Sequence, residues 1–354
     1  MTDSNDQKEP MPEVAVIGTG TMGTAMARRL LGARMDVHVW SRHPASTMPL
    51  VDLGATAFDA ASDAARDVDV VITMLATAEA TADVMFDGHA LDAMKPGSIW
   101  VQMATIGVEV TQRLVRETLV QRPVVAFVDA PVSGSREPAE KGQLLILASG
   151  PHAAAQSLEP VFGALGRATL WLGPAGAGSA MKLVLNTWLA FQTEGAAEAA
   201  ALAERLGVPT SALLDVLRDN PLASPYALGK LARMLEQDFD ADFALDWALK
   251  DLDLVAKEAG AKAAPVASAI AERWRGLVQN GSSGLDVSAA RQGLGGDAPV
   301  RRSARGPAWI VADRVALDTR QPVSTYECRP GVFIPDASRR SAVSSTRRDL
   351  TDLL

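Results

Sequence analysis

Cysteine is nearly missing from this chain. Cys328 stands alone among 354 residues, so no internal disulfide can form and no thiolate cluster can hold a metal. The four histidines, His38, His43, His89 and His152, are scattered without ligand spacing, which predicts no metal site. No apolar run reaches the roughly 18 residues of a membrane span. The N-terminus is polar and acidic, unlike a signal peptide, and a cytoplasmic protein is expected. Positive charge is also in deficit: 34 basic against 42 acidic side chains leave −8, which argues against a general nucleic-acid or membrane-surface binder.

What is present is apolar and helix-favouring. Hydrophobic residues make up 48% of the chain and aromatics only 5%, with alanine and leucine abundant. That length and content suffice for a sizeable core and suggest two domains. Residues 1–11 carry no structural signal and are expected to be disordered. Then Glu13-Val-Ala-Val-Ile17 reads as a short buried strand, followed at once by Gly18-Thr19-Gly20-Thr21-Met22-Gly23 and a helix over Thr24–Leu31. G-x-G-x-x-G is weak alone but informative between a strand and a helix. Gly18 permits the turn, Gly20 lets the backbone approach a pyrophosphate, and Gly23 allows the helix to pack closely on the strand. The phosphates would sit at the positive end of the helix.

At the end of the second strand, Asp36–Trp40, an NAD site would have an acidic residue to accept from the ribose 2′-hydroxyl, but none stands between Val37 and Val51. It runs instead into Ser41-Arg42-His43, and a hydroxyl beside a guanidinium suits a 2′-phosphate. NADP(H) is therefore preferred, with NAD(H) possible; a solvated loop arginine is the alternative reading of Arg42.

Strands over Val68–Leu75, Ile99–Met103, Val124–Val128, Gln143–Ala148 and Ala168–Leu172 continue the alternation expected of a parallel sheet with covering helices. Ligands of such sheets lie beyond the carboxyl ends of the strands, which places Leu75, Ala76 and Thr105 at a cofactor. Pro174–Gly178 reads as a hinge into a helix of nearly thirty residues, ending near Leu206 at Gly207-Val-Pro209. On its wheel Ser179, Lys182, Asn186 and Thr193 share one narrow stripe amid apolar residues. A lysine there needs a cleft or an ion to face; the alternative is a surface lysine whose stem snorkels along the helix. From Thr210 to about Asn280 every segment reads as helix, so the second half is all-α. Residues 292–354 hold ten arginines, seven acids and no lysine. Apart from Trp309-Ile-Val-Ala312 they show no periodicity and read as a flexible tail.

Four motifs together carry a resemblance: Gly18–Gly23 with Met26-Ala27, Asp129-Ala-Pro-Val-Ser-Gly134, Gly173–Gly178 with Lys182 and Asn186, and Lys250-Asp251-Leu252. In this order and spacing, over about residues 12–291, the chain resembles the β-hydroxyacid dehydrogenases, which include 3-hydroxyisobutyrate dehydrogenase and tartronate semialdehyde reductase. The resemblance implies an α/β Rossmann-type domain (12–173) that binds NADP, joined by the long helix to an all-α domain (174–291) for substrate and dimerisation. It implies that Lys182 is the catalytic acid and base and that Asn186 holds substrate. Ser133 and Gly134 would present backbone donors to a substrate carboxylate, and Thr105 and Lys250 would border the cofactor. Ser135 stands where the family usually has a second glycine, which alters the carboxylate pocket. The Trp40-Ser41-Arg42 ending is similar to that of the family's NADP-preferring branch, and family likeness together with the apolar faces of the long helix (Leu183, Trp188, Phe191) points to a homodimer or higher homo-oligomer. Two other readings stay open: an imine reductase, which generally lacks the lysine at this helix position, and a non-catalytic partner-binding module on the same fold.

Overall fold

The computed structural model describes residues 11–294; the tail beyond Leu294, including Trp309–Ala312 and Cys328, and nearly all of the N-terminal segment lie outside the described residues. The chain opens with β1 (Val14–Ile17), α1 (Thr21–Gly32), β2 (Val37–Trp40), β3 (Thr56–Ala57), β4 (Val70–Thr73), β5 (Ile99–Gln102), α2 (Val108–Gln121) and β6 (Ala126–Asp129). The six strands form one parallel sheet in the order β3-β2-β1-β4-β5-β6. Its central strands are apolar on both faces because helices cover both. Val14 and Val16 of β1 enter one core with Val70, Ile72 and Val101, while Ala15 and Ile17 enter the other with Val71 and Trp100. That is the two-residue period of a strand made visible. α1 starts at Thr21, three residues earlier than its apolar periodicity predicts, because the glycine turn leads straight into it.

The later strands do not extend this sheet. β7 (Val132–Ser133), β8 (Leu144–Ala148) and β9 (Gly166–Trp171) make a second, mixed sheet, with β7 antiparallel to β8 and β8 parallel to β9. The sequence expectation of a single continuing alternation is corrected here. Between β6 and β7 the chain leaves the first sheet, and Asp129 pairs with Ser149 in an isolated antiparallel bridge. Helix α3 (Ala155–Leu165) lies between β8 and β9.

Helix α4 (Ala177–Leu206) follows, 30 residues long and closed by Gly207 at φ 75°, the left-handed stop that glycine makes at little cost. α5 (Thr210–Arg218), α6 (Pro225–Glu236), α7 (Leu245–Ala259) and α8 (Pro265–Leu277) pack around it. A third core of Ala190, Ala197, Leu245, Leu252, Ile270 and Trp274 holds them. Within that core Glu194 of α4 accepts from Trp274 Nε1 at 2.8 Å and pairs with Arg273, so a buried carboxylate is neutralised where α8 crosses α4. Among the described residues no helix is long and apolar enough to cross a membrane.

Candidate functional site

The strand order reverses between β1 and β4, and the crevice of such a sheet opens at the carboxyl ends of those two strands. There Gly18 takes φ +104°, and a side chain would strike the Met74 carbonyl oxygen at 2.5 Å. Only glycine fits. At Gly20 an added Cβ would meet nothing within 4 Å, so the backbone faces open space. α1 begins with no side-chain cap and no acid in its first turn, which leaves its N–H groups for an anion. These residues fit a dinucleotide pyrophosphate. Gly23 is different: it does not line the crevice, because it lies against Gly18, where a Cβ would come within 1.9 Å of the carbonyl oxygen. Its smallness serves packing.

A cavity of about 520 Å³ runs from this turn across the molecule. Thr19, Thr21, Met22, Ser41, Arg42, Leu75 and Ala76 line it near the sheet, and Thr105, Lys182, Asn186 and Lys250 line it further on. The turn is fastened to the loop after β2, since the hydroxyls of Thr19 and Ser46 lie 2.6 Å apart and Ser46 donates to the His43 carbonyl at 2.8 Å. Ser46 escaped the sequence reading because nothing in the spacing from Thr19 signals the bond. Arg42 lies exposed at the cavity rim.

Lys182 and Asn186 also line a second chamber of about 420 Å³ with Ser133, Gly134 and Ser135. The two therefore stand where the chambers meet. Burial pushes the Lys182 ammonium below the ordinary lysine range; the charge of Asp251 opposes this and that of Lys250 adds to it. Asn186 is buried and donates through Nδ2 to Asp251 Oδ2, which leaves its amide oxygen as an acceptor. Asp251 Oδ1 receives no aligned hydrogen bond among the described residues, and Lys250 Nζ lies 3.3 Å away. Lys250 in turn donates to the Thr105 carbonyl at 2.6 Å and sits 5.6 Å from the Trp247 ring centroid. Asp251 was visible in the sequence as part of Lys250-Asp251-Leu252, but its hold on Asn186 spans 65 positions and left no local trace.

The polar stripe of α4 does not act as one surface. Ser179 turns to Asp129, donating through its backbone N–H and its hydroxyl, each at 2.8 Å. Thr193 lies within hydrogen-bonding distance of the Tyr226 hydroxyl, at 2.9 Å. Seven residues of helix separate it from Asn186, a rise of about 10 Å, so it meets a different neighbour. Leu183, expected on an outer apolar face, is buried, whereas Trp188 is 61% exposed.

Two family models match the chain. The NAD binding domain of 6-phosphogluconate dehydrogenase matches residues 13–173, and the NAD-binding part of NADP-dependent 3-hydroxyisobutyrate dehydrogenase matches residues 176–293. Glyoxylate/succinic semialdehyde reductase 1 of Arabidopsis thaliana is 33% identical over 280 residues, covering 78% of this chain and 96% of its own. NAD-dependent L-serine dehydrogenase of Pseudomonas aeruginosa is 30% identical over 292 residues, covering 80% of this chain and 97% of its own. The crystal structure of a 3-hydroxyisobutyrate dehydrogenase from Salmonella typhimurium superposes with a TM-score of 0.71 at 30% identity, covering 79% of this chain and 98% of that one. With both halves matched in order and the glycine turn opening on a lysine-lined cleft, this chain belongs to the β-hydroxyacid dehydrogenase family of nicotinamide-dependent oxidoreductases.

Proposed function

We propose that the chain exchanges hydride between NADP(H) and a 3-hydroxy acid or its semialdehyde, with Lys182 as general acid and base. What supports this is a lysine whose charge is disfavoured by burial, standing where the dinucleotide cavity meets the second chamber. In this reading residues 12–173 carry the glycine turn for the cofactor and residues 174–291 carry Lys182 and Asn186 for the substrate, with Ser133–Ser135 and Lys250 each reaching across. The bound nicotinamide supplies or accepts the hydride at the substrate carbon; everything else falls to side chains and backbone. Lys182 gives a proton to the oxygen that becomes the hydroxyl in reduction, and removes it in oxidation. Asn186 accepts from the substrate hydroxyl through its free amide oxygen. The N–H groups around Ser133, Gly134 and Ser135 receive the substrate carboxylate, in a turn that Gly134 allows at φ +133°. Lys250 and Thr105 close the cavity beside the nicotinamide. Arg42 and the Ser41 hydroxyl hold a 2′-phosphate, which favours NADP(H) over NAD(H). The outer face of α4 carries a homodimer contact.

The pH dependence follows from the direction of the Lys182 shift. Reduction needs the ammonium and falls as pH rises through its lowered value; oxidation needs the free amine and rises along the same limb. Lys182→Ala is expected to cut kcat by about 10²–10⁴-fold in both directions and to abolish that limb. NADPH affinity, read by fluorescence titration, should stay nearly unchanged. An alanine variant with full turnover overturns the assignment. Turnover of cyclic imines alone, in the same assay with semialdehydes, would replace it by imine reduction.

A further inference from the structure

The second chamber holds more room than a three- or four-carbon substrate uses. Its volume of about 420 Å³ falls in the range, about 300–1,000 Å³, of pockets that enclose drug-sized molecules. Besides Lys182, Asn186 and the Ser133–Ser135 turn, its wall carries the apolar Leu189, Pro225, Tyr226 and Phe243 and the charged Lys230, Arg233 and Asp242. Tyr226 keeps its hydroxyl paired with that of Thr193, so its ring is what remains to meet a ligand.

Gly229 also lines this chamber, from an interior position of α6. Glycine there weakens a helix relative to alanine. No close approach calls for it, since an added Cβ would meet nothing within 4 Å, and its backbone is not in the left-handed region. Gly229 is itself exposed, so what the missing side chain leaves is open space on the solvent side of the chamber. The charged groups nearby are already matched. Lys230 Nζ bonds both oxygens of Asp286 at 2.7 and 2.9 Å, and Arg233 pairs with Asp242 at 2.8 Å and Asp238 at 3.1 Å. Two cations face three carboxylates, so a second anion at this end would be repelled.

We infer that the chamber takes an uncharged hydrocarbon extension of the substrate and that Gly229 sets the length it admits. The preferred substrates are then monocarboxylic 3-hydroxy acids, or their carbonyl forms, with several carbons beyond the reacting centre. The inference rests on the dehydrogenase reading above.

The test measures kcat/KM for NADP⁺-linked oxidation of 3-hydroxypropanoate, 3-hydroxybutanoate, 3-hydroxyhexanoate and the six-carbon 3-hydroxy diacid. Calorimetry on the NADP⁺-loaded protein compares propanoate with hexanoate. A rise of about 10-fold or more from the three- to the six-carbon acid is expected, because each methylene in an apolar pocket discriminates by about 10–200-fold at most. The diacid should be at least about 10-fold poorer than its monoacid, the discrimination expected when a charge is buried without a partner. Gly229→Leu should lower the six-carbon value about 10-fold more than the three-carbon value, with a thermal melt no lower than the parent's; Gly229→Ala gives the same trend, smaller, should the leucine variant fail to fold. A flat or falling series, a preferred diacid, or an unchanged ratio in the variants overturns the inference. If no acid is oxidised, tighter binding of hexanoate than propanoate that Gly229→Leu removes keeps the chamber and overturns the dehydrogenase reading; equal binding overturns the chamber.

Discussion

Arg42 and Lys182 are the two cations on which the proposed chemistry turns, and they are read by opposite signs of environment. Arg42 keeps its solvent exposure at the rim of the cofactor cavity, where a guanidinium can meet a phosphate without the cost of burying an unpaired charge. Hydrogen bonds to a charged group contribute about 1.5–3 kcal/mol each. Arg42→Ala is therefore expected to raise the KM for NADPH by about 10–100-fold while leaving that for NADH nearly alone. Steady-state kinetics with both cofactors checks this, and an unchanged NADPH/NADH ratio counts against a 2′-phosphate site. Lys182 is the half-buried counterpart, legible because a lysine inside so apolar a helix demanded a cleft. The share of its tuning that comes from Asp251 and Lys250 was not legible, since they reach it from a helix some 68 positions away.

Among the elements, the start of α4 decides how the cleft is built. Asp129 ends β6, is fully buried, and accepts from the N–H of Gly176 at 3.1 Å, from Ser179 twice, and from the Ser149 hydroxyl at 3.0 Å. A carboxylate supplied by another element thus takes the place of an N-cap for a helix that has none of its own. Burial pushes the Asp129 carboxyl upward, and the donors from Ser179, Ser149 and Gly176 act against it. Gly178 must be small because a Cβ there would lie 2.2 Å from the Leu147 carbonyl oxygen. The helix is in this way nailed to both sheets at the point from which Lys182 is aimed. Asp129→Ala leaves several buried donors without partners and is expected to cost about 3 kcal/mol of stability. Urea unfolding with an unchanged slope would report it; a loss below about 1 kcal/mol, the scale of a single ordinary hydrogen bond, would discount the anchoring role.

At the scale of the whole molecule, the helical half is clasped to the sheet half where α7 meets the start of α2. The Glu258 carboxylate accepts from the Glu109 N–H at 3.0 Å, and Lys257 pairs with the Glu109 side chain at 3.3 Å. α4 also presents Val184 at 64% and Trp188 at 61% exposure, four residues apart and so neighbours on one face of the helix. Trp188→Glu is expected to convert the proposed dimer to monomer, with light scattering as the measurement; an unaltered mass would move the contact elsewhere. The strand, the glycine turn and the presence of a helix after it, though not that helix's start, and the extent of α4 followed from the chain alone, because each depends on neighbours within a few positions: a two-residue or 3.6-residue period, a φ that only glycine accepts readily, a glycine stop. The second sheet, the splitting of the polar stripe, the Asp251 contact and the open space at Gly229 came only with the tertiary structure. Each is settled by groups far apart in sequence, and nothing local encodes which of them will meet.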